Sequence, residues 1–440
     1  MLIHSSISER LGKKICLIHG ELGFTYQEFS QQVDSLAYRL AALVEKNDKV
    51  LIKLADPLSQ LLYFFGVIKA GGACVLTDPS TSEEVCAALM DTHKLNLYIQ
   101  EGFELPTSPA KSLPQINAND LFLGALSSGT TGTPKLIWRD HLSWTRAFPA
   151  QSIIFQLSRA DTLYVVGSLV YTANLNACLH ILAEGGTVMF ASNSMPRTWA
   201  KEIRDNHVSA VFMVPANYKM LLRTSKSPLP QITSAVTCGA KMDLSTVEAL
   251  VEYFPSAGIY EYYGASELGH VSYSTAEDLL ERPYSLGIAF PHVTISIEED
   301  MIWVQSPYLA PDYKPKATAG DLGRLDKDGY LYLLGRNYDM INTGGVKVIP
   351  EQVETILLQC PGIAEVVVGG IDDPIRGQKV CAWIVKKQES LTTSEIFAFC
   401  QKKMRPHYCP QKIIFLAEIP LNKNGKIDRI SLRNSGLLPS

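Results

Sequence analysis

Nine cysteines are scattered through the 440 residues, at 16, 74, 86, 178, 238, 360, 381, 400 and 409, and no two of them form a C-x-x-C pair. Such spacing offers neither a zinc site nor a disulfide framework, and it suits a reducing compartment. No basic run is present, and the formal net charge is −4. The chain therefore lacks the electrostatic footprint of a nucleic-acid binder and the polybasic patch that docks on an anionic membrane. Long apolar runs are missing too. The most apolar stretch, 61–76, is broken by Lys69 and by Gly71-Gly72, so no transmembrane segment is expected. The opening residues, Met-Leu-Ile-His-Ser-Ser-Ile-Ser-Glu-Arg, have no basic region followed by an apolar core and do not read as a secretory signal. A cytoplasmic location is the expectation. There is no internal repeat and no low-complexity tract. With 46% hydrophobic and 19% charged residues, the composition is that of a soluble globular protein with enough chain for two or three cores.

One segment stands out from this ordinary background. Residues 126–135 read Leu-Ser-Ser-Gly-Thr-Thr-Gly-Thr-Pro-Lys. Hydroxyls and exposed backbone N–H groups donate to phosphate oxygens, glycine permits close approach, and a terminal lysine adds a mobile positive charge. Ser127, Ser128, Gly129, Thr130, Thr131, Gly132 and Lys135 are thus candidate polyphosphate-binding residues. A Walker A loop is excluded, because there lysine directly follows glycine and a hydroxyl directly follows lysine. Here Gly132 is followed by Thr133-Pro134, and Lys135 by Leu136.

Elsewhere, short β-branched runs alternate with amphipathic helical patterns, as in layered α/β domains with a mainly parallel sheet. Thr25-Tyr-Gln-Glu28 reads as a capping box opening a helix with Phe29, Val33, Leu36 and Leu40 on its apolar face. The pattern places strands at 49–54, 73–76, 162–166, 187–190, 210–214 and 235–238. Helices are expected over 58–70, over about 173–183 and from 216. Near Arg336 the texture changes. Residues 340–440 predict helices over 350–358 and 393–404 with strands at 364–368, 380–385 and 412–416, a small α+β module of autonomous size.

Five further segments complete the pattern: Tyr260-Glu-Tyr-Tyr-Gly-Ala-Ser-Glu267, Thr318-Ala-Gly-Asp321, Gly335-Arg-Asn-Tyr-Asp339, Thr343-Gly-Gly345 and Pro420-Leu-Asn-Lys-Asn-Gly-Lys426. In order and spacing they resemble the AMP-forming adenylating enzymes, which include acyl- and aryl-CoA ligases, adenylation domains of peptide synthetases, and luciferases. The flanks Trp138-Arg-Asp-His and Tyr262-Tyr-Gly-Ala-Ser-Glu-Leu look most like small bacterial acyl-CoA ligases. The resemblance runs from Phe24-Thr-Tyr to Lys426. It implies a large N-terminal domain over 1–335, a hinge at 336–339 and a mobile C-terminal domain over 340–440. Gly264-Ala-Ser-Glu-Leu-Gly269 misses the G-x-S-x-G nucleophile elbow by one residue, so a hydrolase reading is rejected.

The reaction implied is attack of a carboxylic acid on ATP to give an acyl-adenylate, followed by transfer to the pantetheine thiol of CoA or of a carrier protein. By resemblance Lys426 bridges carboxylate and phosphate, and Glu267 is the catalytic carboxylate that holds Mg2+. Gly264 is among the nucleotide-binding residues, and Ser266, replacing the usual threonine, contacts the α-phosphate. Tyr262 or Tyr263 stacks on adenine, Asp321 accepts the ribose hydroxyls, and Arg336 reinforces the ribose. The acid pocket is expected at Tyr171, Asn217, Cys238, Gly239 and Ala240, with Gly239 keeping one wall low. Gly344 and Gly345 lie where the pantetheine arm passes. Tyr338 departs from the Asp or Lys usual at the pivot. No aspartate stands near Tyr171 to pair an ammonium, so an apolar acid is favoured over an amino acid, and a fatty acid narrowly over an aryl acid. A non-catalytic nucleotide-binding regulator is the remote alternative, opposed by the joint retention of Lys135, Glu267, Asp321, Arg336 and Lys426.

Overall fold

The computed structural model describes every residue except 8–10, 128–134, 337–340, 344–345, 375–376, 422–426, 429–430 and 433–440. The chain forms two compact units, one of Met1–Ile295 with Val304–Ala317, the other of Ser296–Trp303 with Thr318–Ser440. The boundaries between the units fall near residues 295, 303 and 318. The hairpin Asp321–Leu325/Leu331–Arg336 belongs with the residues that follow it. Gly335 shows why: a Cβ there would meet Ile349 at 2.3 Å, so the end of the hairpin is packed hard against the start of the helix Pro350–Leu357.

In the first unit the α/β expectation holds. A run of parallel strands, in spatial order Gly258–Ala265, Ser234–Cys238, Ala210–Phe212, Thr162–Val165, Thr187–Phe190 and Ile15–His19, forms the body of one sheet. Antiparallel strands Gly269–Thr275 and Leu22–Thr25 flank it. Because both faces of a parallel sheet are covered, its strands read as continuous apolar runs, as Thr187–Phe190 does. A second sheet takes Leu97–Gln100, Lys49–Lys53, Ala73–Leu76, Leu121–Ser127 and Lys135–Asp140 in that order. Its last two strands form an antiparallel hairpin around residues 128–134, with Ser127 opposite Lys135.

Local chemistry sets the helices. Thr25 accepts the Glu28 N–H while the Glu28 carboxylate returns a bond to Thr25, so the expected capping box opens the helix Tyr26–Leu40. Its face of Phe29, Val33, Leu36 and Leu40 is buried. Asp56 and Ser82 cap the helices Pro57–Lys69 and Glu83–Thr92 by accepting the Ser59 and Val85 N–H groups, without the reciprocal bond. The two largest apolar clusters among the described residues of this unit lie around Phe29, Phe64 and Phe122 and around Tyr164, Trp199 and Tyr218.

The second unit has its own core, built on Ile341, Val353, Val380, Ile384 and Ile396. The strands expected at 364–368 and 380–385 are the middles of a longer antiparallel pair, Ile363–Asp373 and Gly377–Lys386. Lys412–Leu416 joins Gly377–Lys386 in parallel. Among the described residues no helix is long and apolar enough to cross a membrane.

Candidate active site

Four neighbouring parallel strands place the acid-pocket candidates and the Ser266–Glu267 turn at one edge. Tyr171 follows Thr162–Val165, Asn217 follows Ala210–Phe212, Cys238-Gly239-Ala240 closes Ser234–Cys238, and Ser266–Glu267 follows Gly258–Ala265. In open α/β sheets the carboxyl ends of parallel strands are where ligands bind.

Tyr171 sits at the N-cap of the helix Thr172–Glu184, and its hydroxyl reaches Gly239. A Cβ at Gly239 would lie 2.1 Å from that oxygen, and Gly239 has φ +87°, in the left-handed region that favours glycine. The low wall expected at Gly239 is therefore filled by the Tyr171 phenol. Cys238 is in register with Tyr262 across the next strand. Asn217 lies in the first turn of the helix Pro215–Thr224, partly exposed.

Strand alternation separates the two tyrosines proposed for adenine. Tyr262 points inward, 8% exposed, and stacks on His270 with ring centroids 4.5 Å apart. Phe155 and Phe212 pack around it. Its ring is thus part of the core, which leaves Tyr263, half-buried on the other face, as the adenine candidate. His270 is fully enclosed, and burial lowers its pKa to about 3.

Lys135 donates to the Tyr313 hydroxyl at 2.7 Å, and its ammonium lies 5.3 Å from the centre of that ring. The hydrogen bond, with smaller help from the Glu267 charge, holds its pKa above the ordinary lysine value. Lys135 and Glu267, far apart in sequence, are therefore brought within electrostatic reach. The Glu267 carbonyl accepts the Ala310 N–H at 2.9 Å. No group of three or more His, Cys, Asp or Glu side chains placed to hold a metal occurs among the described residues. The Glu267 carboxylate, in electrostatic reach of Lys135, is a hard oxygen donor, and that fits Mg2+, which keeps waters and binds through one or two carboxylates plus phosphate.

In the second unit Asp321 is 3% exposed at the start of its strand, in register with Arg336. Ser128, Gly129, Thr130, Thr131, Gly132, Gly344, Gly345, Tyr338 and Lys426 lie outside the described residues, as do the side chains of Ser127 and Arg336.

Three structural contributors escaped the sequence reading. Tyr313 holds Lys135. Lys241 donates to Glu261 and to the Ser285 carbonyl, each at 2.6 Å, while Glu261 also accepts the Met242 N–H at 2.7 Å. This ties the turn after Gly239 to the strand that carries Tyr262 and Tyr263. Burial raises the Glu261 pKa, with Lys241 opposing. The third is Arg139, 1% exposed within an apolar strand. A charged residue in Leu-Ile-Trp-Arg was the available signal for it.

A carboxyl edge of parallel strands, with Lys135 and Glu267 brought within electrostatic reach of each other, is the arrangement of an α/β enzyme that binds its ligand at the strand ends. The chain belongs to the AMP-binding enzyme family, which it matches over residues 6–120 and 99–313, with the family's C-terminal domain matching over 352–426. An uncharacterized acyl–CoA ligase of Bacillus subtilis is 26% identical over 463 residues, spanning 97% of this chain and 96% of that one. A putative long chain fatty acid–CoA ligase of Staphylococcus epidermidis is 26% identical over 438 residues, with 96% and 95% covered. The o-succinylbenzoate CoA synthetase of Bacillus subtilis, solved with its acyl-adenylate intermediate, superposes with a TM-score of 0.84 at 20% identity over 100% of this chain and 98% of that one. At that identity the likeness is one of fold, and it bears out the α/β class with a large N-terminal and a smaller C-terminal domain.

Proposed function

We propose that the protein is an AMP-forming acid–thiol ligase that joins a carboxylic acid to the thiol of CoA through an acyl-adenylate. The observation that carries this reading is the shared carboxyl edge, where acid-pocket candidates and the Ser266–Glu267 turn follow adjacent strands. Membership of the AMP-binding family and full-length similarity to CoA ligases support it.

In the first step a carboxylate oxygen bonds to the α-phosphorus of ATP while the bond to the α–β bridging oxygen breaks, and pyrophosphate leaves with that electron pair. In the second, the thiol sulfur bonds to the acyl carbon, AMP leaves with the electrons of the C–O bond, and the thiol proton passes to water. Negative charge gathers in the first step, so fixed positive charge lowers its barrier most. Lys135 and the 127–132 hydroxyls and N–H groups hold the phosphates, and Lys426 bridges carboxylate and phosphate. Glu267 would hold Mg2+, which would supply further positive charge there. Gly264 is one of the nucleotide-binding residues, Ser266 contacts the α-phosphate, Tyr263 the adenine, and Asp321 with Arg336 the ribose. Lys426 must leave before the thiol reaches the same carbonyl, so we place a pivot at 336–339 and the pantetheine path along Gly344 and Gly345.

The acid lies among Tyr171, Asn217, Cys238, Gly239 and Ala240. With no aspartate beside Tyr171, an ammonium would be buried without a counter-charge, so the substrate is apolar, and we favour a fatty over an aryl acid. Pyrophosphate release across fatty, aryl and amino acids, then thioester formation with CoA or a phosphopantetheinylated carrier, tests the reading. Release with no carboxylic acid would refute it. Release followed by thioester on a carrier alone would reassign the acceptor, and efficient activation of an amino acid would overturn the substrate class.

A further inference from the structure

The guanidinium of Arg139 is buried, and among the described residues no carboxylate is in hydrogen-bond contact with it. One terminal nitrogen, Nη1, donates to the Ser266 carbonyl at 2.7 Å. The other, Nη2, donates to the carbonyls of Tyr308 at 2.6 Å and Ser143 at 3.0 Å. Its Nε finds no acceptor among the described residues. The adjacent carboxylate, Asp140, is committed elsewhere, accepting the Ser143 N–H at 2.7 Å to cap the helix His141–Thr145. Enclosing a charge without an ion-pair partner is costly, and three carbonyl acceptors offset only part of that cost.

What the arrangement does is fix the two peptides that flank the Glu267 Cα. The Ser266 carbonyl is held by Arg139 and the next carbonyl, that of Glu267, by the Ala310 N–H. Arg139 also holds Tyr308, two residues before Ala310, so one side chain ties the Ser266–Glu267 turn to the segment that braces it. Consecutive carbonyls pinned from two directions leave the Glu267 Cα little freedom. The guanidinium and the Glu267 carboxylate are also close enough for their charges to attract.

Resting on the assignment of Glu267 as the Mg2+ ligand, we infer that Arg139 is a positioning residue that aims the Glu267 carboxylate at the metal-bound nucleotide. It touches neither substrate nor metal. It acts through the backbone on either side of the ligand, and groups that orient metal ligands are worth about 10–100-fold in metal affinity or activity.

Calorimetric titration of the full-length protein with ATP, in Mg2+ and again in EDTA, tests this without any acid substrate. Arg139→Met should weaken ATP binding about tenfold in Mg2+ while changing it little in EDTA. Arg139→Lys, which keeps the charge and loses the fork, should fall between. In a Glu267→Ala background the Arg139→Met change should have no further effect on Mg2+-dependent affinity. Unchanged affinity in Mg2+, equal loss in both media, or full additivity with Glu267→Ala would each overturn the assignment. If Arg139→Met does not fold, the same two titrations on Arg139→Lys decide it: a loss confined to Mg2+ supports the role and an equal loss refutes it. Wild-type protein that binds MgATP but releases no pyrophosphate with any acid would instead sink the ligase reading alone.

Discussion

Lys135 and Lys426 are the two cations expected at the phosphates, and they answer to different demands. Lys135 is held in place by Tyr313 before any nucleotide arrives, as suits a residue that binds ground-state phosphates. Lys426, at the end of the segment Pro420-Leu-Asn-Lys-Asn-Gly-Lys, is assigned to the charge that develops as the carboxylate attacks. Lys426→Ala should therefore cost about two to three powers of ten in adenylation rate while leaving ATP affinity nearly intact. Pyrophosphate release and ATP titration on the same variant check both halves, and near-normal release would remove Lys426 from the mechanism. Gly239 gives the complementary test for the acid. Gly239→Ala puts a methyl 2.1 Å from the Tyr171 hydroxyl at a backbone torsion of +87°, so the phenol must move. We expect a raised KM for the acid with unchanged ATP affinity. Equal effects on both ligands would mean that Tyr171 and Gly239 do not wall the acid.

Elements explain why some of this was legible in the sequence and some was not. The capping box at Thr25–Glu28 is contained in four consecutive residues, and the helix it opens follows locally. Likewise the run from Thr162 to Cys238 alternates strand and helix, and each intervening helix is the crossover that lets strands of one sheet lie parallel. The hairpin Leu121–Ser127/Lys135–Asp140 was less visible, because its pairing is fixed across the Ser/Thr/Gly-rich segment whose composition spoke of a loop. Tyr262 and Tyr263 were indistinguishable in sequence, since which face meets His270 is set only when Gly269–Thr275 pairs antiparallel with their strand. That same pairing makes Gly264 a packing residue. A Cβ there would sit 2.4 Å from the Gly269 carbonyl oxygen, beside a bulge between Tyr263 and Gly264. Gly264→Ala should therefore displace the Ser266–Glu267 turn, cost about 1–3 kcal/mol of stability, and weaken MgATP binding at least about tenfold. Thermal unfolding and nucleotide titration measure the two effects. Wild-type affinity in this variant would show that the turn tolerates the shift.

At the scale of the whole molecule, the way this protein encloses its histidines determines how it meets acid. His180 and His270 are buried deeply enough that desolvation lowers each pKa to about 3, and His4 and His141 are lowered to about 4, all from an ordinary value of 6.5. All four belong to the first unit. Above pH 6.5 they are neutral in folded and unfolded chains alike and contribute no pH dependence. Below it the unfolded chain takes up protons that the folded chain refuses, so stability falls with pH, and the fall continues until the folded pKa values are reached. For one such histidine the loss at pH 5 is about 2 kcal/mol, which makes four of them comparable with the whole stability of an ordinary domain. The depressed carboxylate of Asp243, whose pKa is about 2 through its bonds to Ser245 and Lys219 against the penalty of burial, acts only at lower pH. Urea unfolding followed by tryptophan fluorescence should therefore show stability level from pH 8 to about 7 and falling steeply between about 6 and 4. His180→Gln should lower stability at pH 7.5, since it loses the 2.8 Å contact with Ser152, yet flatten the acid slope by up to about 1.4 kcal/mol per pH unit. A wild-type curve that stays flat from pH 7.5 to 5 would mean that these imidazoles reach water in the folded state, and with it the buried aromatic wall behind Tyr262 would have to be abandoned.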